Sequence, residues 1–370
     1  MNKNIHIVSF DVPYPPNYGG VIDVFYKIAA LHKLGYKIHL HTYEYGRGKQ
    51  KILENYCEEI TYYKRSKSPL NLLSSKPFIV KSRSDSRLIK NLKKDTFPIL
   101  FEGLHTTFPL NDFEFNDRKI IIRTHNIEHK YYNGLAKSEQ KLARKSFFKQ
   151  EAKKLKSYEK ILQKADYILT ISPYEQAYFQ KKYGKKAQYI PVFHKNNAIH
   201  SLSEKGTIAL YHGDLRVSDN VKASRFLVNV FKELSHPLVI ASSYIHKEFE
   251  NTLKKYSNIS FVKLIEVDDL DRLFQEAHVN VLPTFQKTGI KLKLIHALFE
   301  SRFCVVNNAM IEDTGLENIC KIADNVKEFR EQINQAFNQK YTMEEQRKKE
   351  ATLSVFNNQN NAVKIAKLMA

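Results

Sequence analysis

Short apolar runs alternate with longer helix-patterned stretches along almost the whole chain, and few folds accommodate that alternation. A strand, an amphipathic helix and a second strand form a β-α unit, whose strands pair in parallel under a cover of helices. In the first half the strand runs are Ile5–Phe10, Lys37–Thr42, Glu59–Tyr63, Pro98–Phe101, Lys119–Arg123, Tyr167–Ile171 and Gln188–Val192. The polar stretch His194–Lys205 then reads as a linker, after which the series resumes with Thr207–Tyr211, Pro237–Ala241, Ile259–Val262, Val279–Leu282 and Cys304–Val306. Helical patterns fill the intervals; Val21–Leu34, for example, stops at Gly35, the residue type that most readily leaves a helix. The closing segment Met343–Ala370 is helical in pattern and lysine-rich. At roughly 150 residues per domain the length accommodates two. The expected architecture is therefore α/β, with two Rossmann-like domains facing a central cleft, the first over residues 1–195 and the second over 205–354.

Composition narrows the class. With 42% hydrophobic and 26% charged residues, the chain is neither disordered, collagen-like nor membrane-spanning. No apolar run approaches the roughly 18 residues of a membrane helix, and the start alternates apolar and polar residues where a signal peptide would be continuously apolar. Cys57, Cys304 and Cys320 are odd in number and far apart, which favours a reducing, cytoplasmic compartment over a disulfide framework or zinc knuckle. Charge is the outlier: 59 Lys+Arg against 39 Asp+Glu leaves +20, and an anionic partner or a lysine-rich compositional bias accounts for it. Lys137–Lys164 concentrates this excess, with ten basic residues against Glu139, Glu151 and Glu159. Leu142, Phe147, Phe148, Leu155, Tyr158, Ile161 and Leu162 recur there at helical spacing. Such a helix either rests on an anionic membrane, at its inner face, or packs its apolar stripe on its own sheet. Nucleic acid is not an expected partner, because no recognisable module and no aromatic-and-basic sheet face is evident.

In open parallel sheets, ligands bind beyond the carboxyl ends of the strands, so the loops there matter most. The first, Asp11–Gly20, ends in Gly19 and Gly20 and opens into a helix whose free N–H groups suit an anion. After the fourth and fifth strands come Glu102, His105 and Arg123, His125, Asn126, clusters able to supply a general base and to hold a polar substrate. His125 and His129 stand at i, i+4, but the His-Glu-x-x-His order and a third ligand are missing, so no metal is expected. In the second half a glycine, Gly289, and two lysines, Lys291 and Lys293, precede a helix, a good arrangement for a diphosphate. Their spacing is not that of a P-loop, and no cofactor is expected beyond the substrates.

These residues together resemble a known family. Asn17-Tyr-Gly-Gly20, Arg123-Thr-His-Asn-Ile-Glu-His129, Ala165-Asp-Tyr-Ile-Leu-Thr-Ile-Ser-Pro-Tyr-Glu175, Tyr211-His-Gly213, Gly289-Ile-Lys-Leu-Lys293 and Thr314-Gly-Leu-Glu317 occur in the order seen in glycosyltransferases of the GT-B fold, most like the family 4-like group of bacterial polysaccharide assembly. The resemblance implies a nucleotide-sugar donor bound mainly by the second domain and a final helix, 355–370, returning to the first. It implies that Gly19 and Gly20 approach the phosphates, that Gly213, Arg216 and Asn220 line the donor site, and that Lys291 and Lys293 neutralise the diphosphate. His105 takes the place of a histidine beside the reacting carbon. Where the family often has two glutamates eight positions apart, this chain has Thr288 and His296, with Glu312 or Glu317 available to compensate. The expected activity is a retaining, metal-independent transfer of a hexose to a glycan or lipid-linked glycan. Two alternatives remain open: a nucleotide-sugar epimerase of the same fold, and a non-catalytic basic protein that binds anionic lipid or nucleic acid.

Overall fold

In the computed structural model the described residues are 3–196, 198–199, 202–266, 269–285, 291–312 and 314–369. The chain divides into two compact units, one built on Met1–Lys195 and Phe356–Ala370, the other on Asn196–Lys287 and Lys291–Val355.

The first unit carries a seven-stranded parallel sheet, ordered β3-β2-β1-β4-β5-β6-β7. Its strands are β1 (Asn4–Ser9), β2 (Lys37–Glu44), β3 (Glu59–Lys64), β4 (Ile99–Glu102), β5 (Ile120–Arg123), β6 (Tyr167–Thr170) and β7 (Ala187–Tyr189). Alternate residues feed two cores. Ile5, Ile7, Ile38 and Leu40 face the helix Gly19–Lys33 through Val21, Val24, Ile28 and Leu31, while Val8, Phe101, Ile120 and Ile122 face Leu155, Leu162 and Phe179 on the other side. The closing helix, Asn358–Met369, joins the first of these cores through Ala362, Ile365 and Met369. Its start is pinned by reciprocal bonds between the Asn358 amide and the His194 backbone, at 3.2 and 2.6 Å. The C-terminal helix thus belongs to the N-terminal unit.

The second unit has a six-stranded parallel sheet, ordered β10-β9-β8-β11-β12-β13. These strands are β8 (Ile208–His212), β9 (Leu238–Ser242), β10 (Ile259–Lys263), β11 (Ala277–Leu282), β12 (Phe303–Val306) and β13 (Lys321–Ile322). β13 was not anticipated: two residues at a sheet edge leave no periodicity to read.

Two expectations about helices need correction. Lys137–Lys164 is not one helix but the helix Glu128–Ser138, a break, the helix Leu142–Tyr158 and a 3-10 turn Glu159–Lys164. Met343–Ala370 likewise splits at Ser354–Phe356. In each case a continuous basic pattern conceals the interruption.

In both sheets the strand order reverses once, between β1 and β4 and between β8 and β11. Helices leave on opposite faces at such a point and open a crevice beyond the strand ends. The loops after β1, β4, β8 and β11 are those that hold most of the residues singled out from the sequence.

Candidate functional site

At the reversal in the first unit, five ionisable side chains form one buried network. Asp23 and Lys27, one turn apart on the helix Gly19–Lys33, pair at 2.8 Å. The Lys27 ammonium also donates to Glu102 Oε1 at 2.7 Å, and Glu102 Oε2 meets His125 Nε2 at 3.0 Å. Arg123 donates to both Asp23 oxygens, at 3.1 and 2.8 Å, and to the carbonyls of Thr170, Ile190 and Pro191. Asp23, Lys27, Glu102 and Arg123 are completely buried. Burial alone would favour neutral carboxyls, yet Arg123 and Lys27 hold Asp23 below the ordinary carboxylate range, and Lys27 with His125 does the same for Glu102.

His125 carries this network to the strand ends. Its ring meets Phe10 edge-on, centroids 5.4 Å apart, and Phe10 lies 5.2 Å from the His105 ring. Arg83 fixes Phe10 by donating to its carbonyl at 2.8 Å. Gly20 covers the same ring so closely that a Cβ there would stand 2.6 Å from Phe10 Cζ. His105 is half-buried and its Nδ1 has no hydrogen-bond partner among the described residues. Burial, helped by the charge of Arg83, holds its imidazole neutral, well below the usual histidine pKa. Gly103 makes room for it: the residue has φ +74°, and a Cβ would lie 2.7 Å from His105 Nδ1. Gly103→Ala is accordingly expected to cost about 1–2 kcal/mol, from the left-handed backbone alone, in a chemical denaturation experiment.

Two expectations change here. Arg123 is not on the acceptor side: with no exposed surface and its donors directed to Asp23 and three carbonyls, it holds β5, β6 and the strand that follows together. Glu102 is not a general base open to substrate, since both oxygens are engaged inside; it orients His125. Asn126 is half-exposed, and burial pushes the pKa of the Glu128 carboxyl two residues on up to about 7, a shift that Asn126 offsets only in part. Asp23, Glu102 and His125 bring ligand atoms within 4.8 Å of one another, but the Lys27 ammonium already stands between the two carboxylates. His129 turns instead to Glu159, at 3.2 Å, so His125 and His129 do not converge.

At the reversal in the second unit the loop after β8 enters the helix Ser218–Phe231, and Lys291 caps the helix Leu292–Glu300. Lys293 Nζ donates to Asn220 Oδ1 at 3.1 Å and lies 5.0 Å over the Tyr211 ring. Gly213 presses on the same side chain: a Cβ at this position would stand only 3.1 Å from Asn220 Cγ. Burial pushes both Lys291 and Lys293 down to about 8, against the charge of Asp219, which draws them up. Asp219 itself accepts from Thr284 Oγ1 at 2.8 Å and from the Phe285 N–H at 3.2 Å, tying the loops after β8 and β11 together.

Other expected donor residues fall around this core unequally. Arg216 is exposed and paired with Asp214 at 2.9 Å. His296 is half-buried, 3.9 Å from Asp271 and 4.7 Å from the Phe274 ring. Glu317 is exposed on the turn Glu317–Ile319, where its charge is felt by Cys320, not by either lysine. Thr288 and Gly289 lie outside the described residues.

Residues 206–339 match the family described as Glycosyl transferases group 1. Over 338 residues, 84% of each chain, the protein is 25% identical to an uncharacterized 44.6 kDa protein in the cps region of Klebsiella pneumoniae. Among solved structures it is similar to Anabaena HepE in complex with UDP and glucose, with a TM-score of 0.67, 10% identity and 99% and 98% of the two chains covered. TarM gives a TM-score of 0.68 at 11% identity, covering 100% and 99%. The fold is GT-B. Within the matched region, Asp219 is a residue that sequence reasoning passed over, although an acidic residue in the first turn of a helix that follows a strand and glycine is a usable signal. Asp23 and Lys27 were missed in the first unit, and the clue there was an i, i+4 opposite pair set among Val21, Val24, Ile28 and Leu31.

Proposed function

We propose that the protein is a glycosyltransferase that moves a hexose from a nucleotide-sugar donor to a glycan or lipid-linked glycan during assembly of surface polysaccharide or glycoconjugate, with retention of configuration. The observation that carries this reading is Lys293 beside Asn220 and Tyr211, with Lys291 at the N-cap of Leu292–Glu300, inside the region that matches the family. A departing nucleoside diphosphate needs positive charge, and two ammonium groups with a helix N-terminus provide it without a metal. Gly213 keeps Asn220 in place to hold Lys293, and Asp219 keeps the lysines protonated enough to act. In the first unit, His105 and His125 are the polar groups offered to the acceptor and the reacting carbon. The relative in a cps region supports a polysaccharide acceptor, and HepE's UDP and glucose support a nucleotide-sugar donor.

The lysines supply the test. Because their charged form is lost as pH rises through about 8, UDP, GDP or TDP is expected to bind more weakly above that pH, and binding near it should take up protons. Lys293→Ala should weaken the preferred nucleotide about 10- to 100-fold, the loss of a charge-assisted contact. Titration calorimetry in buffers of different ionisation enthalpy measures both. Failure of every nucleoside diphosphate to bind would sink the proposal, and an unchanged affinity in Lys293→Ala would remove this lysine from it.

A further inference from the structure

The loops beyond the carboxyl ends of β1, β2 and β3 bring two guanidiniums together near His105 and give them no counter-ion. Arg83 is 2% exposed, and its donors go to the carbonyls of Phe10 and Ile79, each at 2.8 Å, and to the Tyr45 hydroxyl at 3.5 Å. Arg65, the first residue after β3, lies 4.5 Å over the Tyr45 ring, and the Arg83 guanidinium is 5.5 Å from the same ring. Arg65 Nε is held by Ser82 Oγ at 3.2 Å. Phe10, which Arg83 anchors, is the ring that stands 5.2 Å from His105. The charges of Arg83 and Arg65 both reach the His105 imidazole, and after burial itself it is Arg65 that does most to lower the pKa of Arg83.

The carboxylates of these loops are committed elsewhere. Asp11 accepts from the Val12 N–H at 2.9 Å and from the Tyr18 hydroxyl at 2.7 Å, with Arg47 Nε at 4.0 Å. Glu44 accepts from the backbone of Gly46 and Gly48. The stretch Lys64–Lys81 contains basic residues and no carboxylate. Among the described residues neither Arg65 nor Arg83 forms an ion pair, and the two terminal nitrogens of half-buried Arg65 have no hydrogen-bond partner. A buried charge is rarely left unpaired, and a second like charge beside it raises the cost. A guanidinium held by its Nε and stacked on an aromatic ring presents its remaining donors to a carboxylate or phosphate, which it can grip through two parallel bonds.

We propose that Arg65 is a specificity-determining residue that receives an anionic group, a carboxylate or a phosphate ester, borne by the acceptor near its reacting hydroxyl, reinforced by the buried charge of Arg83. It rests on the glycosyltransferase reading, in which His105 stands at the reacting carbon. The donor's own phosphates are assigned to Lys291 and Lys293 of the second unit, so the unpaired charge of the first unit answers to the other substrate. A neutral sugar leaves the repulsion between the two guanidiniums in place. An acidic one relieves it on binding, so that affinity and selectivity for the acidic acceptor come from one contact.

Titration calorimetry tests this with three probes that differ only at the sugar's last carbon: methyl glucoside, methyl glucuronide and methyl glucoside phosphorylated there. At least one anionic sugar is expected to bind about tenfold more tightly than the glucoside, and which of the two does so tells carboxylate from phosphate. Arg65→Gln should remove that advantage, a loss of about 10- to 100-fold, with glucoside binding unchanged; Arg65→Lys, which keeps the charge without the fork, should restore part of it. In turnover, Arg65→Gln should raise KM for an acidic acceptor and leave donor KM as in the parent. Circular dichroism checks the fold of each variant. Anionic sugars that bind no better than the glucoside would overturn the inference. So would an Arg65→Gln protein that binds them as the parent does, or that loses all three probes alike, the mark of a merely structural role. If the anionic sugars depend on Arg65 while no nucleoside diphosphate binds, the anion site stands and the glycosyltransferase reading falls.

Discussion

Asp23→Asn is expected to destabilise the protein by about 3–5 kcal/mol, the cost of removing one partner from a buried ion pair. The substitution keeps the shape of the side chain and removes one charge. In the native network Asp23 and Glu102 balance Lys27 and Arg123, and all four are sealed from water. Asparagine leaves a net positive charge where no solvent can screen it, and its amide nitrogen replaces an oxygen that accepts from Arg123, Lys27 or the Phe193 N–H. Against a total stability of about 5–15 kcal/mol this is a large fraction. Chemical denaturation of the intact chain, followed by circular dichroism, measures it. A loss below about 1 kcal/mol, the range of an exposed pair, would show that the network is open to water.

The network does more than add stability, since well-packed apolar residues would serve a core at least as well. Its use is geometric. Lys27 fixes Glu102, and Glu102 fixes His125 Nε2, so that the histidine ring is held against Phe10 and, through it, beside His105. A lower activity in Asp23→Asn would therefore follow from a displaced His125 even in protein that remains folded.

Which of these arrangements could be read in advance depended on their range. The central strands were legible because they are buried on both faces, so Ile120–Ile122 and Phe303–Val306 appear as unbroken apolar runs. The strand-end loops followed from the strand count, and Gly20, His105, Asn220 and Lys293 from their places in those loops. What could not be read was which way a charged residue turns. Arg123 and Glu102 end neighbouring strands, where substrate-facing groups are common, yet the register Glu102↔Arg123 sets them beside the helix Gly19–Lys33, whose Asp23 and Lys27 claim them. Those contacts span 75 and 100 residues and have no local signature. The leucines of Pro69–Leu73 escaped for the opposite reason: apolar residues in a short run suggest burial, and only the structure shows them outside.

His105→Ala should lower kcat by about 10²–10³-fold, the usual effect of losing one preorganised polar contact to a transition state, while donor KM changes little. The separation follows from the structure: the groups proposed to hold the diphosphate, Lys291 and Lys293, belong to the second unit, whereas His105 belongs to the first. The form of the pH dependence provides a further check. Burial keeps the His105 imidazole neutral well below the ordinary histidine range, so the parent's kcat should be flat through about pH 6.5, where a general base with an unshifted pKa would give a descending limb on the acid side. Gly103→Ala, which drives a Cβ against His105 Nδ1, should reproduce part of the kcat loss with the imidazole still present. Steady-state kinetics on the preferred donor decide the matter. Equal losses in kcat and donor affinity would make His105 a donor-binding residue, and a Gly103→Ala enzyme with parental kcat would show that the position of the ring is unimportant.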